Sequence, residues 1–375
     1  MVASYPETGP VFATVSWWWR AARQRAAIWG ERVVDLRPAC PGLERAAPAP
    51  CALARSDSVA IIGKETLMHD LIIIGGGAAA LAAATYALGK QLDFVMVYGH
   101  LGGKSGWRQN LAGQDHAEDL PGEDAVRLLE QRVSRVPTRL RRDRAVAVQR
   151  VAGGFAVDCE QHGRMQARTL IVATGARPTP LLVPGATELL GQGLGYSVTT
   201  HAHMLAGKRA AVLGATVRAL RGAAELAQHA AQVYLIVPTI TDMAAPMVRA
   251  LADRSNVEVL PGHRVTEVVG SMTIEELVVA RDGVVRRLAV DAAFVDIGLV
   301  PNSSIVAALV ETDGAGFIRV DQRQATSVPG IFAAGDVATT FGEQVLIAIG
   351  DGARAALAAY DDLLAQAPVA AEGAG

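Results

Sequence analysis

Two stretches of this chain repeat one pattern: a short apolar strand, a glycine-bearing turn, then a helix of small residues. In residues 71–90 (LIIIGGGAAALAAATYALGK) the strand meets Gly75, Gly76 and Gly77, with Ala78, Ala79 and Ala80 opening the helix. In residues 210–226 (AAVLGATVRALRGAAEL) the first glycine is Gly214 and the closing small residue is Ala219, but the middle position is Thr216. In a Gly-x-Gly-x-x-Gly/Ala turn the first glycine makes the bend and the second lets a diphosphate reach bare backbone. The third small residue packs helix on strand, and the helix N-terminus offers unpaired N–H groups to anions. The pattern therefore constrains the chain to doubly wound α/β units, with one turn intact for a dinucleotide and one altered.

A length of 375 residues allows two domains. The formal charge of −2 gives no reason to expect a nucleic-acid partner, and the basic run at residues 139–144 is short and broken by an acid, as a solvated strip would be. No apolar run approaches the roughly 18 residues of a membrane span. The three cysteines, Cys40, Cys51 and Cys159, form no Cys-x-x-Cys pair, so a reducing cytoplasm is expected rather than a disulfide scaffold. No metal site is expected. Cys159 lies in an alternating segment and reads as a strand residue.

Residues 1–67 lack the pattern that follows. They hold Trp17, Trp18 and Trp19 and then Arg-, Ala- and Pro-rich sequence without sustained periodicity, in the wrong order for a signal peptide. We expect a disordered extension or a natural start at Met68, the rival reading being an interaction arm that carries the Trp triplet. The tail, residues 367–375, is expected to be disordered.

Three more segments follow in a telling order. Residues 169–176 (TLIVATGA) end a strand at Thr174 and Gly175. Residues 294–302 (FVDIGLVPN) end a strand in a Gly-x-x-Pro-Asn turn. Residues 328–337 (VPGIFAAGDV) carry Gly335 and Asp336, and Gln344 and Val345 then open a long helix. In this order the chain resembles the low-molecular-weight thioredoxin reductases of the pyridine nucleotide–disulfide oxidoreductases, over residues 68 to about 366. The resemblance implies FAD on the first turn, with Gly75, Gly76, Gly77, Ala78, Ala79 and Ala80 at or behind the diphosphate. It implies Thr174, Gly175 and Gly335 nearby, Asp336 on the ribityl chain, and Gln344 and Val345 at a helix end aimed at the isoalloxazine. Gly102, Gly103 and Lys104 match the family's Gly-Gly-Gln turn, with lysine in place of glutamine.

The departures concern the other cofactor. Strand residues 94–98 end at Tyr98 without the acid that usually holds the adenosine ribose, a loss that FAD binding is expected to survive. The family's Cys-x-x-Cys falls on Ser197 and Thr200, and a hydroxyl is not ionised where a thiol is. After residues 232–237 the family expects His-Arg-Arg for the 2′-phosphate of NADPH, whereas this chain continues Pro238, Thr239. Two lost charge-assisted hydrogen bonds correspond to about 3–6 kcal/mol, or roughly a hundred- to ten-thousandfold in affinity. NAD(P)H use is therefore doubtful. Arg218 reads as a surface helix residue rather than a phosphate ligand. For His201 and His203 a proton-relay role and a plain linker role both stand. Trp107 and Tyr196 either line the flavin face or pack between domains.

The expected architecture is α/β with two Rossmann-like domains: a discontinuous FAD domain (68–185 and 292–366) and an inserted NAD(P)-type domain (186–291). The expected function is that of an FAD-dependent oxidoreductase without its own dithiol. Its electrons come from an external small-molecule or protein donor and pass to a small-molecule or protein acceptor. A homodimer is implied only by the resemblance. The alternatives are an NAD(P)H-dependent flavin reductase of ferredoxin–NADP reductase type and a non-catalytic flavin-binding sensor or scaffold.

Overall fold

The structure, a computed structural model, describes residues 68–107, 109–111, 122–239 and 246–366. The expectations for residues 1–67 and 367–375 lie outside the described residues. Strand β1 (Met68–Ile74) runs into helix α1 (Ala78–Gly89) and returns in parallel as β2 (Phe94–Tyr98). After α2 (Glu123–Val133), β3 (Leu140–Arg142) adds in parallel beside β2. Then β4 (Ala145–Val151), β5 (Gly154–Cys159) and β6 (Gly163–Val172) form an antiparallel meander whose last strand lies parallel to β1. Residues 71–74 are apolar without alternation because this central strand is covered on both faces: Leu71 and Ile73 pack into one buried cluster with Ala80 and Ala355, Ile72 and Ile74 into another with Val157 and Ile318.

β7 (Ala176–Pro178) leaves this layer, and a second sheet follows. Its strands are β8 (Leu194–Gly195), β9 (Arg209–Leu213), β10 (Gln232–Val237) and β11 (Val257–Pro261), with helices α3 (Val198–His201), α4 (Val217–Leu226) and α5 (Pro246–Ala252) between them. A separate antiparallel sheet of β12 (Arg264–Gly270), β13 (Ile274–Arg281) and β14 (Val284–Ala289) precedes β15 (Ala292–Val295). The second sheet has the order β11-β10-β9-β15-β8 and is parallel throughout. The chain is thus an α/β protein with two Rossmann-like halves. Residues 292–295, assigned from the sequence to the returning flavin segment, pair instead with β9 inside the second sheet. The chain crosses back after them.

The return begins with β16 (Leu299–Pro301), antiparallel to β7. It continues through β17 (Ile331–Ala333), parallel to β6, and ends in the long α6 (Val345–Gln366). Helix α1 is alanine-rich because α6 crosses it at backbone distance: a Cβ on Gly352 would lie 2.0 Å from the carbonyl oxygen of Ala79. Among the described residues no helix is long and apolar enough to cross a membrane.

One buried carboxylate fastens the edge of the first sheet. Asp143 accepts from the backbone N–H of Arg144 and His162 (both 2.7 Å), from that of Gln161, and from His162 Nδ1 at 2.7 Å. Burial pushes this carboxyl up, but the donors outweigh it and hold it down at about 2. The folded state therefore binds fewer protons than the unfolded chain between about pH 4 and pH 2. The stability that Asp143 confers is present above that window and lost as pH falls through it. Urea midpoints of wild type and Asp143→Asn should differ most at neutral pH and converge by about pH 2. A gap independent of pH would show that the charge is not responsible.

Candidate functional site

The first turn is built by close backbone approach. Gly75 has φ +133°, and a Cβ there would lie 2.1 Å from the carbonyl oxygen of Ala173. A Cβ on Gly76 would meet the carbonyl oxygen of His100, also at 2.1 Å. Gly77 differs, because its nearest neighbour to such an atom is Gly103 Cα at 4.0 Å. It caps α1 with no side-chain hydrogen bond and no acid in the first helical turn. The helix N-terminus thus presents bare N–H groups beside an open glycine, a seat that fits a dinucleotide diphosphate.

That seat belongs to a cavity of about 1660 Å3, beyond the roughly 300–1,000 Å3 usual for one small-molecule site. Gly75, Gly76, Gly77, Ala78 and Ala79 line it, as do Gly102, Gly103 and Lys104. Thr174, Gly175, Gly335, Asp336, Gln344 and Val345 line it too. Ala80 does not: it is fully buried and serves the helix–strand packing behind the turn. The Ala-Thr-Gly and Pro-Asn motifs occur together because they clasp each other. Thr174 Oγ1 donates to the carbonyl of Asn302 at 2.7 Å, and Asn302 Nδ2 donates to that of Thr174 at 2.9 Å. Lys104 Nζ lies 2.7 Å from Asp336 Oδ2.

No acid directly follows β2, where Tyr98 is succeeded by Gly99 and His100. Asp143 lines the cavity, but its oxygens are committed to Arg144, Gln161 and His162.

The second turn repeats the bend of the first. Gly214 has φ +131°, and a Cβ there would lie 1.9 Å from the carbonyl oxygen of Asp296. Its middle position is filled: Thr216 Oγ1 accepts from the Ala219 N–H and donates to Asp296 Oδ1, both at 3.0 Å. Arg218 is not a free surface residue. Its Nε and Nη2 hold both oxygens of Asp296 at 2.6 and 2.8 Å, and its Nη1 reaches Glu343 at 3.2 Å. Arg218 therefore ties the inserted half to the loop before α6. Arg221, one helical turn on, lies over the Phe341 ring at 5.4 Å. The residues after β10, Pro238 and Thr239, bring no charge.

Ser197 and Thr200 also line the cavity, with their hydroxyl oxygens 2.7 Å apart. The two side chains are thus a mutually hydrogen-bonded pair of hydroxyls on the wall shared with the first turn. His201 is buried. Its Nδ1 lies 2.9 Å from the carbonyl oxygen of Ser197, and its ring packs at 6.2 Å on Phe294. Trp107 and Tyr196 face one another across 6.4 Å, tilted by 48°, and both line the cavity. Gln109, buried beside them, donates to the Gly193 carbonyl, while its Oε1 has no partner. Cys159 is buried outside the cavity, and burial pushes its thiol up to about 11, so it stays protonated. Among the described residues no group of three His, Cys, Asp or Glu side chains is placed to hold a metal ion.

Asp296 and Glu343 are two site residues that sequence reasoning misses. The first has a visible signal, an acid directly after a strand of otherwise apolar residues. The second has none, since only the fold brings it to Arg218.

Two Rossmann-like halves, each opening on a glycine turn, define the fold class of the molecule. Residues 69–371 match the family described as pyridine nucleotide-disulphide oxidoreductase, and the chain belongs to it. That family binds FAD, which the open first turn fits. The chain is 33% identical over 311 residues to an alkyl hydroperoxide reductase subunit of Pseudomonas putida, covering 79% of this chain and 58% of that protein. The chain thus spans under two thirds of the length of that relative. In structure it is similar to thioredoxin reductase from Streptococcus pyogenes (TM-score 0.70, 24% identity, 80% of this chain and 99% of that one). It is also similar to an oxidoreductase from Agrobacterium tumefaciens (TM-score 0.65, 26% identity, 80% and 100%).

Proposed function

We propose that the protein is an FAD-dependent oxidoreductase that works without a redox dithiol of its own and draws electrons from a donor other than NAD(P)H. The observation that carries this reading is the contrast between the two turns: Gly77 stands open, whereas Thr216, Asp296 and Arg218 fill the equivalent seat. FAD, when bound, supplies reversible electron transfer between donor and acceptor. The chain's own residues then have assignable tasks. Gly75, Gly76 and Gly77 with the α1 N-terminus hold the diphosphate, Asp336 and Lys104 flank it, and the N-terminal end of α6 adds a positive dipole. Ser197 and Thr200 form a polar wall without a nucleophile, so the electrons leave to a small molecule or a partner protein rather than to a resident disulfide. The same proposal places the protein in the cytoplasm, as a homodimer, with an external small reductant or redox protein as donor.

The retained bend at Gly214 favours one second reading, a flavin reductase that still takes NAD(P)H. Anaerobic stopped-flow mixing of the FAD-loaded protein with NADH and NADPH separates the two. Our reading expects slow or absent bleaching of the flavin. Rapid bleaching at micromolar nucleotide would install the second reading in its place.

A further inference from the structure

We infer that Asp296 is a specificity-determining residue, a resident carboxylate that keeps anionic dinucleotides out of the second glycine turn. The inference rests on the reading that NAD(P)H is a poor donor, and it supplies the cause. Asp296 follows the last residue of β15, and its N–H donates to the Leu213 carbonyl at 2.8 Å, which fixes its backbone against the turn. Its side chain is 5% exposed, and both oxygens are directed at the turn: Oδ1 to Thr216 Oγ1 and Arg218 Nη2, Oδ2 to Arg218 Nε.

A helix N-terminus in this fold attracts an anion, and the anion that a Rossmann half takes there is the diphosphate of its dinucleotide. Here the anion is part of the chain. It is present at every moment, while a diphosphate arrives from solution and must lie beside it. Of the first helical N–H groups, that of Ala219 is already spent on Thr216. Arg218, the cation inside the turn, is occupied by Asp296 and Glu343. Further along the helix, Arg221 and Glu225 also line the cavity, one of each sign. Arg218 and Arg221 against Asp296, Glu343 and Glu225 leave one net negative charge where two more would have to be placed. A dinucleotide is thereby disfavoured by charge as well as by the volume of Thr216.

Asp296→Asn separates these effects. The amide keeps the size of the side chain and an oxygen for Thr216, but it removes the charge and loosens Arg218. Calorimetric titration of the FAD-loaded full-length protein with ADP, NADH and NADPH reads the result directly, without turnover. We expect affinity to rise about ten- to a hundredfold, the worth of one charge-assisted hydrogen bond. Thr216→Gly, which opens space but leaves the charge, should gain less than threefold. An increase confined to Thr216→Gly would overturn the inference in favour of sterics. No increase in a folded Asp296→Asn protein would also overturn it, while leaving the reading of weak nucleotide use intact. Micromolar binding by the wild type would overturn both. A measurement on the wild type alone covers the case of a variant that does not fold. Because salt screens like charges, residual ADP binding should strengthen as ionic strength rises, and a fall would count against the inference.

Discussion

A Gly77→Ala protein is expected to fold almost as well as the wild type and to come off the column without its yellow colour. The three glycines of the first turn are not equivalent. At Gly75 a methyl group would be driven into the backbone of Ala173, and the residue already sits at φ +133°. Gly75→Ala should therefore cost roughly 3 kcal/mol or more of stability, with flavin loss as a mere consequence of misfolding. Gly77 has φ −80° and ψ −172°, which any residue adopts, and nothing nearer than 4.0 Å to an added Cβ. Alanine there costs the fold under about 1 kcal/mol, the usual difference between glycine and alanine at a helix N-cap. That methyl group would occupy the volume in which a diphosphate meets bare backbone. Forfeiting one or two charge-assisted hydrogen bonds to the α1 N-terminus lowers FAD affinity roughly ten- to ten-thousandfold. Absorbance at flavin wavelengths per mole of protein, read beside a thermal melt, checks both halves. A fully yellow Gly77→Ala protein would remove the diphosphate from this turn.

The sequence discloses backbone geometry far better than it discloses side-chain pairing. Gly75 and Gly214 lie within a few degrees of the same φ, because a strand that must bend sharply against its neighbour leaves room for no other residue. The Ala-Thr-Gly and Pro-Asn motifs are legible for a related reason, since each closes the other's hydrogen bonds. Fold class and the lining of the first turn follow from such residues. Ala80 lies behind the turn, where close helix–strand packing imposes a small side chain. The strand 292–295 is misassigned because an apolar run carries no sign of which sheet it joins, and only its pairing with β9 settles that. Arg218 is the plainest failure. Its partners Asp296 and Glu343 lie 78 and 125 residues away in the chain, so no local pattern could distinguish an anchored arginine from a solvated one. The burial of His201 is hidden in the same way, since Phe294 reaches it only through the parallel sheet.

Lys104→Gln, which removes the charge at similar length, is expected to weaken FAD binding. Lys104 follows two left-handed glycines, and a Cβ on Gly103 would come within 2.9 Å of Gly77 Cα, so its backbone abuts the open side of the first turn. Its ammonium lies 2.7 Å from Asp336, with the two side chains 33% and 16% exposed. This pair cancels a carboxylate that would otherwise face an incoming diphosphate. Because the lysine is a third exposed, water screens the interaction, and the lower end of the range for a charge-assisted contact applies. That corresponds to a rise of about tenfold in the FAD dissociation constant. Charge should also leave a signature in salt: wild-type affinity should decline with ionic strength more steeply than that of Lys104→Gln. Riboflavin, which has no phosphate, should bind the two proteins alike. Titrating the apoprotein with FAD and riboflavin at low and high salt, followed by flavin fluorescence, gives all four comparisons. Equal losses for both ligands would mean that Lys104 acts only by positioning Asp336, and an unchanged FAD affinity would leave the ion pair without a part in cofactor binding.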